Sequence, residues 1–163
     1  MTNWDEFTAA APRISTIFTR RHTATGNLCF LGSIRKDGSP RISPMEPRMF
    51  EGHLVVGGMP NTRKFADLAR DPRFELHTAT TDTHVGDGDA KLWGTVTNLQ
   101  DEALHQRFAQ ALYDAIGFDL RGEKFDPFYV ADISGASSVE VVGEHLEITV
   151  WKPGEPERTI EKH

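Results

Sequence analysis

About eight short segments with the composition of β-strands, separated by turns that often contain glycine, constrain the fold of this 163-residue chain more than any other feature. Residues 73–78 show the pattern clearly, because polar and apolar side chains alternate there as in a strand with one buried face. The predicted strands occupy residues 27–35, 40–50, 53–58, 73–78, 91–99, 128–133, 138–142 and 146–151. So many short strands with tight turns favour an antiparallel barrel over an open sheet.

The first three predicted strands follow one another closely and are expected to form a meander. A turn at residues 36–39 joins the first two as a hairpin, and Glu51-Gly52 joins the second to the third. The second strand contains three prolines. Because proline cannot donate a backbone hydrogen bond, this strand is expected at a sheet edge or at a bulge.

Three helices are predicted beside the strands, which makes the chain an α+β protein. An amphipathic helix at about residues 3–21 should be kinked or split by Pro12. A short helix at residues 63–70 should be capped by Asn61 or Thr62, and a longer helix should begin after Asp101. We expect one domain over residues 1–163, with the barrel at about 27–152.

Composition excludes several functional classes. With 18 basic and 24 acidic residues, the net charge of −6 argues against a broad nucleic-acid-binding face. The sequence contains no apolar run long enough to cross a membrane, and the first residues lack the pattern of a signal peptide. The only cysteine, Cys29, is expected to be a small buried strand residue. A cytoplasmic location is predicted, with no membrane or nucleic-acid partner.

Residues 60–72 are the most informative segment for function. A strand that ends in glycines leads into a helix start, where free backbone N–H groups and the positive end of the helix dipole favour an anion. Thr62 adds a hydroxyl group, and Arg63 and Lys64 add positive charge. The segment could therefore cradle a phosphate. Spacing alone favours the alternative of an ordinary surface helix with two solvated cations.

The sequence resembles the pyridoxamine 5′-phosphate oxidase-like family over about residues 28–99. The resemblance is carried by residues 37–43 (Asp-Gly-Ser-Pro-Arg-Ile-Ser), 54–58 (Leu-Val-Val-Gly-Gly), 62–64 (Thr-Arg-Lys) and 70–73 (Arg-Asp-Pro-Arg), together with Asp67-Leu68. It implies an antiparallel split β-barrel with flanking helices, usually a homodimer with two cofactor sites at the subunit interface. It also implies FMN or the deazaflavin coenzyme F-420 as cofactor, with haem as a less favoured possibility.

The resemblance also implies a set of cofactor-binding residues. Lys64, Thr62 and Arg63 would hold the cofactor phosphate, while Gly57 and Gly58 would lie next to the ribityl chain. The residues expected along the ring are Arg41, Ile42 and Ser43, and those expected to approach from the partner subunit are Lys91 and Trp93.

The sequence departs from the pyridoxamine phosphate oxidases proper in two places. Residues 53–58 contain neither the arginine nor the lysine of the family's strand before the phosphate helix, and the substrate-binding arginine and histidine motif is not recognisable in residues 151–163. We therefore expect an oxidoreductase that transfers hydride to or from another small organic substrate. The alternatives are a non-catalytic protein that binds or carries a flavin, deazaflavin or haem, and a structural or regulatory domain that has lost the site.

No residue pattern identifies a metal site or a protein catalytic group. The seven histidines are scattered, with no pair at the four-residue spacing of a helical metal site. Asp82, Asp87 and Asp89 do not follow the ligand order of a calcium loop, and residues 81–89 are expected to form a flexible polar loop. No metal is predicted, and the catalytic residues stay unassigned.

Overall fold

Local sequence signals determine most of the helix and strand boundaries in the computed structural model, which describes residues 1–163. The helices are α1 (Trp4–Ala10), α2 (Pro12–Ala24), α3 (Arg63–Arg70) and α4 (Glu102–Ile116). The strands are β1 (Cys29–Ile34), β2 (Pro40–Met45), β3 (Arg48–Phe50), β4 (His53–Val56), β5 (Arg73–Thr78), β6 (Asp89–Asn98), β7 (Tyr129–Val142), β8 (His145–Trp151) and β9 (Arg158–Lys162).

All nine strands belong to one antiparallel sheet with the order β2-β1-β5-β6-β7-β4-β3. β8 pairs with the second half of β7, and β9 pairs with β8. The two ends of the order, β2 and β3, are separated in the chain only by Glu46 and Pro47. This two-residue link holds the two edges near each other without ladder hydrogen bonds, so the sheet is a split barrel. The predicted α+β fold class is confirmed.

Both predicted turns of the meander are confirmed, but its second strand is not one continuous strand. β1 and β2 form the expected hairpin, closed by a hydrogen bond from Arg35 N to Ser39 O (2.8 Å). The predicted strand over residues 40–50 instead divides into β2 and β3, which do not pair with each other. β3 pairs with β4, and β4 pairs with β7. Pro47, which lacks an N–H group, lies in the link where the chain leaves one edge for the other.

The C-terminal strands also differ from the prediction. Two predicted strands are one 14-residue strand, β7, whose pairing with β6 shifts register at Trp93 and Gly94. Gly94 permits this bulge, because a Cβ atom there would collide with the carbonyl oxygen of Asp132. β9 extends the sheet beyond the predicted barrel range. Its five residues are all exposed, so it lacks the alternation that reveals a half-buried strand.

The N-terminal helices pack against the sheet and share its main core cluster. The predicted split at Pro12 is confirmed: the helix breaks at Ala11, and Pro12 occupies the first turn of α2, where its missing N–H group costs nothing. Phe7, Ile14 and Phe18 are fully buried in a core cluster of 23 residues that also contains Cys29. Burial raises the pKa of the Cys29 thiol to about 12, as expected for a structural cysteine.

α4 covers a different part of the sheet. It begins at the predicted cap, where the Asp101 carboxylate accepts a hydrogen bond from Leu104 N (3.1 Å). Its apolar face packs in a second cluster with β4 and the start of β7, formed by Val55, Leu104, Phe108, Leu112, Phe128 and Val130. None of the four helices has the length and apolarity needed to span a membrane.

Candidate cofactor site

The N-terminus of α3 carries the group of atoms best suited to an anion. Thr62 is the N-cap residue, but its side chain makes no capping hydrogen bond, contrary to the usual role of a threonine at this position. Its Oγ1 atom is buried and has no hydrogen-bond partner. The first intrahelical bond runs from Ala66 N to Thr62 O, so the N–H groups of residues 63–65 have no acceptor within the helix. A buried hydroxyl group and unpaired amides thus lie together at one helix end.

Lys64 connects this helix start to the neighbouring strands. Its Nζ atom lies 3.5 Å from the carbonyl oxygen of Pro44 on β2. Gly58, which follows β4, also lies next to the helix start. A Cβ atom at Gly58 would be 3.3 Å from the Phe65 ring and 3.7 Å from Lys64 Cε. Three of the predicted phosphate and ribityl contacts, Thr62, Lys64 and Gly58, are therefore brought together. Arg63 is exposed on the same first turn, and Gly57 directly follows β4.

A buried carboxylate fixes α3 against the sheet. Asp67 Oδ2 accepts hydrogen bonds from Arg41 Nε (2.7 Å) and Ser33 Oγ (2.9 Å), and Oδ1 accepts one from an Arg70 NH2 group (3.0 Å). Burial alone would raise the pKa of Asp67, but the hydrogen bonds from Arg41, Ser33 and Arg70 outweigh it and hold this pKa below its ordinary value. Because β1, β2 and α3 all contribute to this network, α3 is held in a fixed position against the sheet.

The side chains of β2 do not all point the same way. Ile42 lies on the outer face of the sheet and is 75% exposed, whereas Arg41 and Ser43 point to the opposite face. The Arg41 side chain is bonded to Asp67, and the placement of these three residues along the cofactor ring stays a prediction. β2 pairs only with β1, however, so the backbone groups of its other edge are free to contact a ligand.

Lys91 and Trp93 lie on β6, away from α3. Ile42, Gly32, Glu75, Trp93 and Gly135 form one cross-strand row on the outer face. Three strand spacings separate Ile42 from Trp93, which amounts to about 14 Å. The Trp93 indole lies against Gly135, where a Cβ atom would approach it to 2.6 Å. Within one chain these two residues therefore do not join the group around Lys64.

A cavity lies on the β6 side of the sheet. It has a volume of about 650 Å³ and lies between Trp93 and the hairpin formed by β8 and β9. Trp151 lines it and has a buried indole Nε1 without a hydrogen-bond partner. No residue of α3 lines this cavity, so it is separate from the helix start.

Sequence reasoning missed the residues that support the site. Asp67, Ser33, Arg70 and the carbonyl group of Pro44 were not among the predicted site residues. The i, i+3 spacing of Asp67 and Arg70 on a short helix was an available signal. The contacts of Asp67 with Ser33 and Arg41 join residues 34 and 26 positions apart, and no local pattern predicts them.

Comparison with known proteins identifies the family. The sequence model of the pyridoxamine 5′-phosphate oxidase family matches residues 19–138. The chain belongs to this family. No curated protein matches the sequence.

Solved structures share the fold at low sequence identity. A haem-binding protein from Mycobacterium smegmatis superposes with a TM-score of 0.62 at 18% identity over 86% of this chain and 59% of that protein. A pyridoxamine 5′-phosphate oxidase-related, FMN-binding protein from Nostoc punctiforme gives 0.60 at 13% identity, covering 94% of this chain and 96% of that one. PhzG from Burkholderia lata 383, in complex with tetrahydrophenazine-1-carboxylic acid, gives 0.59 at 12% identity and covers 96% of both chains.

Proposed function

We propose that this chain binds the phosphate of FMN, or of the deazaflavin coenzyme F-420, at the start of α3 and acts as an oxidoreductase. The supporting observation is the buried Thr62 Oγ1 atom, which has no hydrogen-bond partner in the chain. An unsatisfied buried hydroxyl costs about 1–3 kcal/mol, and a phosphate oxygen would remove that cost. Free N–H groups and the positive end of the helix dipole at the same place favour an anion.

Each residue of the site has a distinct part in the proposed complex. Thr62, Arg63 and Lys64 hold the phosphate, while the Asp67 network keeps α3 in position. The free edge of β2 offers backbone donors and acceptors to the ring, next to the exposed side chain of Ile42. The bound cofactor supplies the hydride-transfer chemistry, so no acid or base from the protein is required at the reacting atom.

We propose a substrate other than pyridoxamine phosphate. β4 carries no arginine or lysine, in line with the departure seen in the sequence. The C-terminal residues, where the family's substrate-binding motif would lie, are used in β9, whose side chains are all exposed. The substrate is a small organic molecule that lies on the open face of the ring.

We also propose that two copies pack through the outer face of β2, β1, β5 and β6. Ile42 is 75% exposed and Phe30 is 39% exposed on this face, and both are apolar side chains that a second copy would bury. Lys91 and Trp93 of each copy would then reach the cofactor of the other. This arrangement gives these two residues a function that they cannot have within one chain.

The test is calorimetric titration of the purified protein with FMN and with coenzyme F-420. Lys64→Ala should weaken binding by about 1.5–3 kcal/mol, the contribution of a hydrogen bond to a charged group. Lys124→Ala, at an exposed lysine in the loop after α4, is the matched control and should leave affinity unchanged. Undetectable binding of both cofactors would refute the proposal, and so would equal effects of the two variants.

Haem binding without catalysis is the second candidate function, and His77 is the observation that favours it. This side chain lies on the outer face, paired with Phe30 on β1. Its Nδ1 atom is 2.6 Å from the carbonyl oxygen of Thr78, which leaves Nε2 as the ring atom available to an iron. A Soret band that His77→Ala abolishes would favour this candidate. Turnover of a quinone or nitro compound with reduced flavin would favour the oxidoreductase instead.

A further inference from the structure

A cluster of histidines and glutamates lies at the open end of the β8–β9 hairpin, away from the residues of the proposed cofactor site. Glu147 on β8 pairs with Glu161 on β9, and Leu146 pairs with Lys162. The same register places His145 opposite His163, and their rings are 5.3 Å apart between centroids. Since residues two apart on a strand share a face, two histidines and two carboxylates form a square on one face of the hairpin.

The ligand atoms in this cluster are near one another but are not hydrogen-bonded. His145 Nε2 is buried and has no hydrogen-bond partner. It lies 3.8 Å from Glu161 Oε1 and 4.0 Å from Glu147 Oε2, and His163 Nε2 lies 3.6 Å from Glu161 Oε2. These separations exceed hydrogen-bond length. They are near the roughly 3.3 Å between ligands of a tetrahedral zinc ion, whose bonds to nitrogen and oxygen are about 2.0–2.1 Å.

Arg13 is the one cation that already contacts the cluster, and it is bonded mainly to Glu140, so it does not neutralise the negative charge of the cluster. Its guanidinium donates to Glu140 Oε2 through Nε (2.9 Å) and NH2 (2.7 Å), and only the longer contact of 3.2 Å reaches Glu147 Oε2. Glu147 Oε2 can still bind a metal, because a carboxylate oxygen has two lone pairs and Arg13 uses only one of them. Glu147 and Glu161 together carry the two negative charges that balance a divalent cation.

We propose that His145, Glu147 and Glu161, with His163 as a fourth ligand, bind a divalent transition metal of the zinc type. Imidazole and carboxylate ligands in a compact set suit such an ion better than calcium or magnesium, which prefer oxygen ligands alone. Bound there, the metal would cross-link β8 to β9 and fix an otherwise fully exposed last strand. The sequence predicted no metal site, because the histidine spacing is not helical and β9 was not anticipated.

The test uses the full chain without an added histidine tag, stripped with a chelator and titrated with Zn²⁺ against a fluorescent competitor. One equivalent of Zn²⁺ should bind, and His145→Ala and Glu161→Gln should each weaken binding at least tenfold. Because Glu161 is exposed, its replacement should not disturb folding. His84→Ala, at an exposed loop histidine, is the matched control and should bind like the unaltered chain.

A second readout separates a site from adventitious binding. Zn²⁺ should raise the thermal unfolding midpoint of the unaltered chain and of His84→Ala, but not that of His145→Ala. Co²⁺ in place of Zn²⁺ should give the intense visible bands of tetrahedral coordination. The proposal would be overturned if His145→Ala bound zinc as tightly as the unaltered chain. It would also be overturned if His84→Ala lost as much zinc affinity as His145→Ala. FMN binding should be unaffected by either histidine variant, so the proposed function is tested separately.

Discussion

Thr62→Val provides a sensitive test of the phosphate cradle, because its two expected effects have opposite signs. In the free protein the Thr62 hydroxyl is buried and unpartnered, and the residue makes no capping hydrogen bond. Replacing the hydroxyl with a methyl group of similar size therefore removes a cost of about 1–3 kcal/mol and loses no contact. The free energy of unfolding, measured by urea denaturation without cofactor, should rise by about 1 kcal/mol or more.

The same substitution should weaken cofactor binding. A hydrogen bond from a hydroxyl group to a charged phosphate contributes about 1.5–3 kcal/mol, which corresponds to a roughly 10- to 150-fold higher dissociation constant for FMN. Affinity for riboflavin, which lacks the phosphate, should be unchanged. Calorimetric titration of both ligands into Thr62→Val and the unaltered chain measures this difference.

Thr25→Val is the matched control, because its hydroxyl is also in a half-buried residue but has a partner. Thr25 Oγ1 donates to Arg21 O at 2.9 Å, so the valine should destabilise the protein and leave FMN affinity unchanged. If Thr62→Val destabilised the free protein like Thr25→Val, the hydroxyl would have a partner there. If FMN affinity stayed the same, the hydroxyl would not contact the phosphate.

Three further substitutions test the fold and the assembly. The pKa of Asp67 in the folded protein lies below the unfolded value of about 3.9. The Asp67 carboxylate therefore stabilises the fold fully above that value, and this stabilisation is lost as the pH falls through the folded pKa. Asp67→Asn should cost about 3–5 kcal/mol at pH 7 by leaving Arg41 unpaired, and should flatten the acid limb of a plot of stability against pH. An unchanged acid limb would contradict this. Ile42→Asp should convert a dimer to a monomer in size-exclusion chromatography with light scattering, and a monomeric unaltered chain would refute the interface. Gly135→Ala should cost about 1–3 kcal/mol in urea denaturation, because the new Cβ would press on Trp93; a neutral result would show that the indole moves.

Sequence alone predicts the parts of this fold that local physics determines. α3 and β5 have the predicted bounds because a capped start, the Asp71-Pro72 stop and strict alternation all act within a few residues. At Pro47 the sequence predicts only an edge or a bulge within one strand, not a link between two edges. The turn at Glu51-Gly52 that pairs β3 with β4 is local, but the pairing of β4 with β7 joins distant residues, and a local pattern does not contain it.

The candidate site also contains residues that the sequence predicts and residues whose roles only the structure shows. Thr62 and Lys64 could be predicted, because the helix start and the family resemblance both point to them. The use of Arg41 in binding Asp67 depends on α3 packing over β1 and β2, so it required the structure. The histidine and glutamate cluster required knowledge of β9, whose exposed residues give no apolar signal.

The most direct measurement of the central claim is a comparison of FMN and riboflavin binding to the unaltered chain and to Lys64→Ala. Two charge-assisted hydrogen bonds of about 1.5 kcal/mol each already give about 3 kcal/mol, so FMN should bind the unaltered chain roughly 100-fold more tightly than riboflavin. Lys64→Ala should reduce this preference by tenfold or more while leaving riboflavin affinity unchanged. Equal affinities for FMN and riboflavin in the unaltered chain would contradict the assignment of the α3 N-terminus as a phosphate site.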